Sequence, residues 1–134
     1  MSEEIKAGAV LFVKDLPRVA RFYQELVPMT VVLTESDLII LESGSFQLVV
    51  HPIPKRIAKS ITITSPPTRR EDVAIKLIFP VTSLAEARAR ARSLGVELNP
   101  PDKEFEARGF RACDGHDPEG NVLQLREIAG RSER

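Results

Sequence analysis

The chain repeats itself. At an offset of 68 residues, the separation of Val13 from Val81, Leu16 falls on Leu84, Val19 on Ala87, Tyr23 on Ala91 and Leu26 on Leu94. In each copy an apolar run is followed by a helix-capping residue and then by apolar positions at helical spacing. A repeat of this size restricts the architecture more than any single strand does. One such module cannot bury both faces of a sheet alone, so the modules must pair or curl around something.

The first copy opens with the strand-like run Ala7–Val13. Asp15 caps the helix that follows, its carboxylate accepting from orphan backbone N–H groups, and Pro17 sits in the first turn, where a missing N–H costs little. Leu16, Val19, Phe22, Tyr23 and Leu26 form one buried face, and Pro28 ends the helix. Residues 30–34, 38–41 and 46–50 read as three strands, the last two joined as a hairpin through Glu42-Ser43-Gly44-Ser45. The order is β-α-β-β-β.

Residues 52–70 interrupt this pattern with Pro52, Pro54, Pro66 and Pro67. Their cations Lys55, Arg56, Lys59, Arg69 and Arg70 meet no acidic residue in the segment, which suits a solvated surface better than a polyanion site. Ile61–Thr64 has the alternation of a short edge strand. The second copy then restarts with a strand over residues 73–81. Ser83-Leu84-Ala85-Glu86 is a capping-box pattern, and Leu84, Ala87, Ala91 and Leu94 form the apolar stripe. Arg88, Arg90 and Arg92 are assigned to the helix's polar surface. Val96–Leu98 reads as a short strand, residues 99–104 as a polar loop, and Phe110–Cys113 with Val122–Glu127 as the closing pair, again β-α-β-β-β.

Composition narrows the function classes. Lys+Arg and Asp+Glu are equal at 19 each, and aromatics make up only 5% with tryptophan absent. Nothing global therefore attracts nucleic acid, and few rings are present for bases to stack on. The single cysteine, Cys113, allows neither an internal disulfide nor a cysteine zinc cluster, and the acidic turn after it should raise its pKa. No apolar run approaches a membrane span, and Met1–Lys6 lacks a leader's apolar core, so a cytoplasmic protein without membrane contact is expected.

The run Asp117-Pro118-Glu119-Gly120-Asn121 starts a turn with proline and closes it with residues tolerant of positive φ. Val122, Leu123 and Leu125 then alternate with Gln124 and Arg126, the mark of a two-faced strand. Together with Leu11-Phe12-Val13-Lys14-Asp15-Leu16…Phe22-Tyr23…Leu26 and the paired βαβββ modules, this resembles the vicinal oxygen chelate superfamily over roughly residues 5 to 128. That superfamily includes glyoxalase I, bleomycin-resistance proteins, fosfomycin-resistance enzymes and extradiol dioxygenases. The resemblance implies an α+β fold in which two paired βαβββ modules form a cupped mixed sheet with helices on its outer face. It implies one glyoxalase/bleomycin-resistance-like domain over residues 1–134: module one about 5–54, a linker over 55–71 and module two about 72–128. Homodimers are common among such proteins, and one is expected here.

In metal-dependent members His, Gln or Glu ligands come from the first and last strands of each module. The first position, seven residues before the residue opening the helix, is Gly8, and the repeat carries it onto Lys76. The last-strand position of module two is Gln124; its counterpart in module one is Gln47, or Leu48 if the strand slips by one residue. A missing side chain, an ammonium and two amides suit Zn²⁺, Ni²⁺ or Fe²⁺ poorly, so no metal and no other cofactor is expected.

Strand alternation places Gly8, Val10 and Phe12, then Gln47, Val49 and His51, then Lys76, Ile78 and Pro80, and finally Gln124 and Arg126 on the cup face. The candidate ligand-binding residues are Phe12, Gln47, His51, Lys76, Gln124 and Arg126, lining a pocket suited to a small, partly apolar anion. Lys76 and Arg126 have a second reading, as partners of internal carboxylates or as rim residues reaching solvent. His116, in the turn, suits a loop-stabilising or solvent-facing role.

The leading functional expectation is a metal-free small-molecule-binding protein of the glyoxalase/bleomycin-resistance type. Its alternative is a metal-dependent lyase, isomerase or dioxygenase with an atypical ligand set such as Gln47, His51 and Gln124. Catalysis itself is left open.

Overall fold

A computed structural model describes residues 5–129. Met1–Glu4, part of the N-terminal stretch read above as lacking a leader, lies outside the described residues. The chain divides into two compact units, parted between Thr62 and Ile63. No helix of the described chain is long and apolar enough to cross a membrane.

In the first unit β1 (Ala7–Val13) leads to α1 (Leu16–Leu26), followed by β2 (Thr30–Glu35), β3 (Leu38–Ser43) and β4 (Phe46–Pro52). The sheet order is β1-β4-β3-β2; β1 runs parallel to β4 and the other neighbours are antiparallel. The Asp15 carboxylate accepts from the Arg18 backbone N–H at 3.2 Å, the cap expected from the sequence. Leu16, Val19, Phe22, Tyr23 and Leu26 are buried on α1, and Val13, Leu41, Leu48 and Val50 are fully buried in the sheet that α1 contacts. Burying each large apolar side chain stabilises the unit by about 1.5–3 kcal/mol. A four-residue helix, α2 (Lys55–Ala58), follows β4.

The second unit contains β5 (Leu77–Pro80), α3 (Leu84–Ser93), a short 3-10 turn at Pro101–Lys103, β6 (Phe105–Ala107), β7 (Phe110–His116) and β8 (Val122–Ile128). Its order, β5-β8-β7-β6, repeats that of the first unit, with β5 parallel to β8. Two βαβββ modules are therefore present, one in each unit. Ser83 Oγ accepts from the Glu86 N–H at 3.1 Å. The Glu86 carboxylate pairs with Arg90 along the helix, and the Leu84 N–H donates to Glu127 Oε1 at 2.6 Å, which ties α3 to the last strand.

Several local expectations are corrected. Ile61–Thr64 is not a strand, and of residues 73–81 only Leu77–Pro80 pairs. Val96–Leu98 forms no ladder; Val96 and Leu98 are buried because this loop packs into the core, Leu98 against Gly115. Alternation there signals burial rather than strand pairing. The missing strand is β6, three residues pairing with Phe110–Ala112. Arg88 is not on a solvated face: it is 9% exposed, donating to Asn99 O (2.9 Å) and Glu104 Oε2 (2.5 Å) and lying 3.4 Å from Cys113 Sγ.

The Asp117 turn is itself buried. The Asp117 carboxylate accepts from Glu119 N–H (2.8 Å), Asn121 N–H (3.0 Å) and the Asn121 side-chain amide. Gly120 has φ +86, and a Cβ there would lie 2.1 Å from Thr68 O, so both conformation and space require glycine.

Candidate ligand site

The open face of each sheet, away from its helix, carries the residues singled out in the sequence. Alternation is clear in the second unit, where Ile78 is 49% exposed and its neighbour Phe79 only 1%.

In the first unit Gly8 pairs with Gln47, Val10 with Val49 and Phe12 with His51 across β1 and β4. The Phe12 and His51 rings lie 5.4 Å apart at a tilt of 58°. His51 Nδ1 is 2.8 Å from Pro52 O. A carbonyl only accepts, so Nδ1 is the donor in this contact. Gln47 donates through Nε2 to Glu42 Oε2 at 3.0 Å, and Glu42 Oε1 accepts from Lys6 at 2.7 Å. These two donors, Lys6 foremost, hold the Glu42 carboxyl below the usual carboxylate range. A shallow depression of about 240 Å³ is lined by Lys6, Gly8, Val10, Gln47 and Val49.

In the second unit the polar residues form one chain across the face. Lys76 Nζ lies 3.3 Å from Asp114 Oδ2; Asp114 Oδ1 accepts from Gln124 Nε2 at 2.9 Å; Gln124 Oε1 accepts from Arg126 Nε at 2.7 Å. The Arg126 guanidinium rests 4.1 Å from the Phe110 ring centroid, and Arg108 approaches the same ring at 5.6 Å. The orientation of the Gln124 amide is dictated by its neighbours. Asp114 only accepts and Arg126 only donates, so turning the amide over would oppose like groups on both sides.

The six predicted residues thus fall into two groups: Phe12, Gln47 and His51 on the first sheet, and Gln124 and Arg126 on the second with Lys76 just before its strand β5. Lys76 has Asp114 as a carboxylate partner and is itself exposed. Arg126 is held by an amide oxygen and an aromatic ring. His116 is buried rather than solvent-facing, its Nδ1 2.9 Å from Asp117 O.

The expected pairing of Gln124 with Gln47 is corrected by the register. Under the 68-residue offset Val10 corresponds to Ile78; Val10 pairs with Val49 and Ile78 with Gln124. Gln124's equivalent is therefore Val49, two residues beyond Gln47 on the same face. Yet in each unit a lysine just before the first strand, a carboxylate and a glutamine are bonded in one pattern: Lys6–Glu42–Gln47 and Lys76–Asp114–Gln124.

These donors do not fit a divalent cation. Gly8 offers no donor, and a Cβ at that position would lie 1.9 Å from Gln47 O, so a ligating side chain has no room there. Lys76 is a cation, and the Gln124 oxygen is already committed to a guanidinium. Gln47 and His51 stand four residues apart on one strand, about 13 Å, which two metal bonds of about 2 Å do not bridge when side chains stand perpendicular to the sheet. Among the described residues, no group of three or more His, Cys, Asp or Glu side chains is placed to hold a metal ion.

Sequence reasoning missed Glu42, Asp114 and Phe110. Ser43 pairs with Phe46, so the hairpin loop is only Gly44-Ser45, and counting back from it sets Glu42 opposite Gln47. Asp114 and Phe110 become visible only when the β7–β8 register is known.

No family model and no curated protein matches the sequence. Solved structures do match. A glyoxalase/bleomycin resistance protein/dioxygenase family enzyme from Burkholderia phytofirmans is 16% identical with a TM-score of 0.67, covering 91% of this chain and 97% of that one. The fosfomycin resistance protein FosX from Mesorhizobium loti is 15% identical with a TM-score of 0.64, covering 99% and 98%. A mutant FosX from Listeria monocytogenes, in complex with Mn(II) and 1S,2S-dihydroxypropylphosphonic acid, is 17% identical with a TM-score of 0.64, covering 98% and 95%. At these identities the likeness is one of fold: the chain has the vicinal oxygen chelate fold.

Proposed function

We propose that this chain, built on the vicinal oxygen chelate fold, is a small-molecule-binding protein of the glyoxalase/bleomycin-resistance type that works without a conventional catalytic metal. The observation that carries this reading is the 2.7 Å hydrogen bond from Arg126 Nε to Gln124 Oε1, which gives the amide oxygen a cationic donor where metal-dependent relatives present a ligand atom. The candidate binding residues are Phe12, Gln47 and His51 in the first unit and Lys76, Gln124 and Arg126 in the second. The first set offers an aromatic wall with an amide and an imidazole, the second two cations with an amide, chemistry that suits a small, partly apolar ligand bearing a carboxylate or phosphate. The protein acts in the cytoplasm as a homodimer, a state in keeping with the exposed Val10, Phe12, Val32 and Leu33 of the first sheet.

The test is elemental analysis of protein purified without chelators, joined to a ligand screen by thermal shift. The expected result is a substoichiometric metal content and saturable stabilisation by small organic anions. A stoichiometric, tightly bound divalent metal that is lost in Gln124→Ala overturns the reading. Activity abolished by chelator and restored by Ni²⁺, Zn²⁺ or Fe²⁺ would establish the metal-dependent enzyme in its place.

A further inference from the structure

A cleft of about 350 Å³ opens in the second unit between residues 69–76 on one side and Asp114, Gly115 and Val122 on the other. That volume is in the range of small-molecule sites. Three cations line it, and they are held differently. Lys76 is neutralised by Asp114 at 3.3 Å. Arg69 donates from Nη2 to the Asn99 amide oxygen at 2.6 Å, and Arg70 from Nε to the Glu119 main-chain oxygen at 3.3 Å. Both guanidinium groups are positioned by neutral acceptors, and among the described residues neither forms an ion pair.

The segment that carries them is anchored. The Arg70 N–H donates to Gly120 O at 2.9 Å, and Gly120 lies directly against Thr68 O. The same wall brings Val73 and Ile75, respectively 48% and 74% exposed, beside the arginines. Glu71 also lines this wall, while its neighbour Asp72 does not, so outside the Lys76–Asp114 pair the lining carries two guanidinium groups and one carboxylate.

From this arrangement we infer that the cleft binds a small organic anion, its carboxylate or phosphate oxygens held by Arg69 and Arg70 and its apolar body lying along Val73, Ile75 and Val122. Guanidinium groups oriented by neutral acceptors keep unused N–H donors and full charge, the state that recognises an oxyanion. The inference deepens the ligand-binding reading and rests on it, because the cleft shares Lys76 and Asp114 with the chain that runs to Gln124. It differs in assigning the anion to the two arginines of the connecting segment, whose charges the sequence alone presents as a solvated surface.

The test uses the full chain labelled with ¹⁵N and titrated with phenyl phosphate, benzoate and, as a neutral control, benzamide. Either anion should give saturable amide shifts at residues 69–76, 115 and 122, weakened by salt, with benzamide silent. Arg69→Gln and Arg70→Gln should each weaken the anion about tenfold, the loss of one charge-assisted contact, and Arg70→Lys should recover part of it. Comparable unfolding midpoints for the variants exclude a folding defect; if Arg70→Gln unfolds, Arg69→Gln carries the measurement, since its contact is to a single side-chain amide. Anion-induced shifts confined to Phe12, Gln47, His51, Gln124 and Arg126 overturn the cleft and leave the broader reading standing. Affinity unchanged in the arginine variants, or no shift with either anion at millimolar concentration, also overturns it.

Discussion

Arg88 Nη2 and Glu104 Oε2 meet at 2.5 Å, each side chain about one-tenth exposed. The same guanidinium donates from Nε to Asn99 O and reaches Cys113 Sγ, so one residue of α3 satisfies the loop that follows the helix and the strand beneath it. Arg88→Met should destabilise the chain by about 2–4 kcal/mol, because it leaves a carboxylate in a confined site with only Arg111, at 3.7 Å, to oppose it. The double variant Arg88→Met/Glu104→Met should recover most of that loss. Urea midpoints of the three proteins measure it, and a double variant no more stable than the single would refute the paired role.

Cys113 lies beneath that guanidinium. Burial pushes its thiol pKa up, against the Arg88 charge, which pulls it down; Glu104 and Asp114 add smaller upward pushes. The upward direction expected from the acidic turn is correct, but its main cause is desolvation. Alkylation of the native protein by iodoacetamide at pH 8 should therefore be governed by unfolding, slow in buffer and accelerated by urea below the midpoint. Rapid, urea-independent modification would contradict the buried thiol.

Two glycines with positive φ should respond differently to the same change. Gly44, at φ +59, has open space where a Cβ would sit, so Gly44→Ala should cost about 1–2 kcal/mol of backbone strain. Gly120, at φ +86, has Thr68 O 2.1 Å from that point, and Gly120→Ala should cost about 3 kcal/mol or more because the main chain itself must move. Equal thermal shifts for the two would show that residues 68–70 yield freely.

Glu42 gives the first unit a pH dependence of known sign. Its carboxyl is held below the usual range by the hydrogen bond from Lys6 and then by that from Gln47. A depressed folded-state pKa supplies stability that is fully present above the unfolded value of about 4.3 and is lost as the pH falls through the lowered folded value. Glu42→Gln removes that contribution, so the urea midpoint of the variant should fall less steeply than the parent's below about pH 4.5. Parallel curves would refute the assignment.

The fold was legible where local rules and the repeat agreed. Asp15 and Ser83 announced both helices, and period-two alternation put Phe12 and Ile78 on exposed faces, while Gln124, paired with Ile78 on the same face, is 8% exposed. Legibility failed where pairing across the sheet decides the outcome. Val96 and Leu98 alternate as a strand would but are buried without a ladder, and Phe105–Ala107 is too short to declare itself before it pairs. The candidate site was legible only in part, for the same reason. Lys76 and Gln124 were visible as residues, but Asp114, which joins them, is ten positions from Gln124 in the chain and beside it only through the β7–β8 register. Arg88 was misassigned because helical spacing says which face a residue occupies, not whether a distant loop closes over it.

The recurrence of Lys6–Glu42–Gln47 as Lys76–Asp114–Gln124 has a consequence for how the two halves superimpose. Measured from the helix caps the two polar triplets are out of step by two residues, since Gln47 pairs with Gly8, seven before Asp15, and Gln124 with Ile78, five before Ser83. A slip of two preserves the face of a strand, so the pleat tolerates it where a slip of one would invert every side chain. The two halves therefore share a bonding pattern that does not follow the 68-residue offset: superimposing them by their helix caps would misplace it by one pleat.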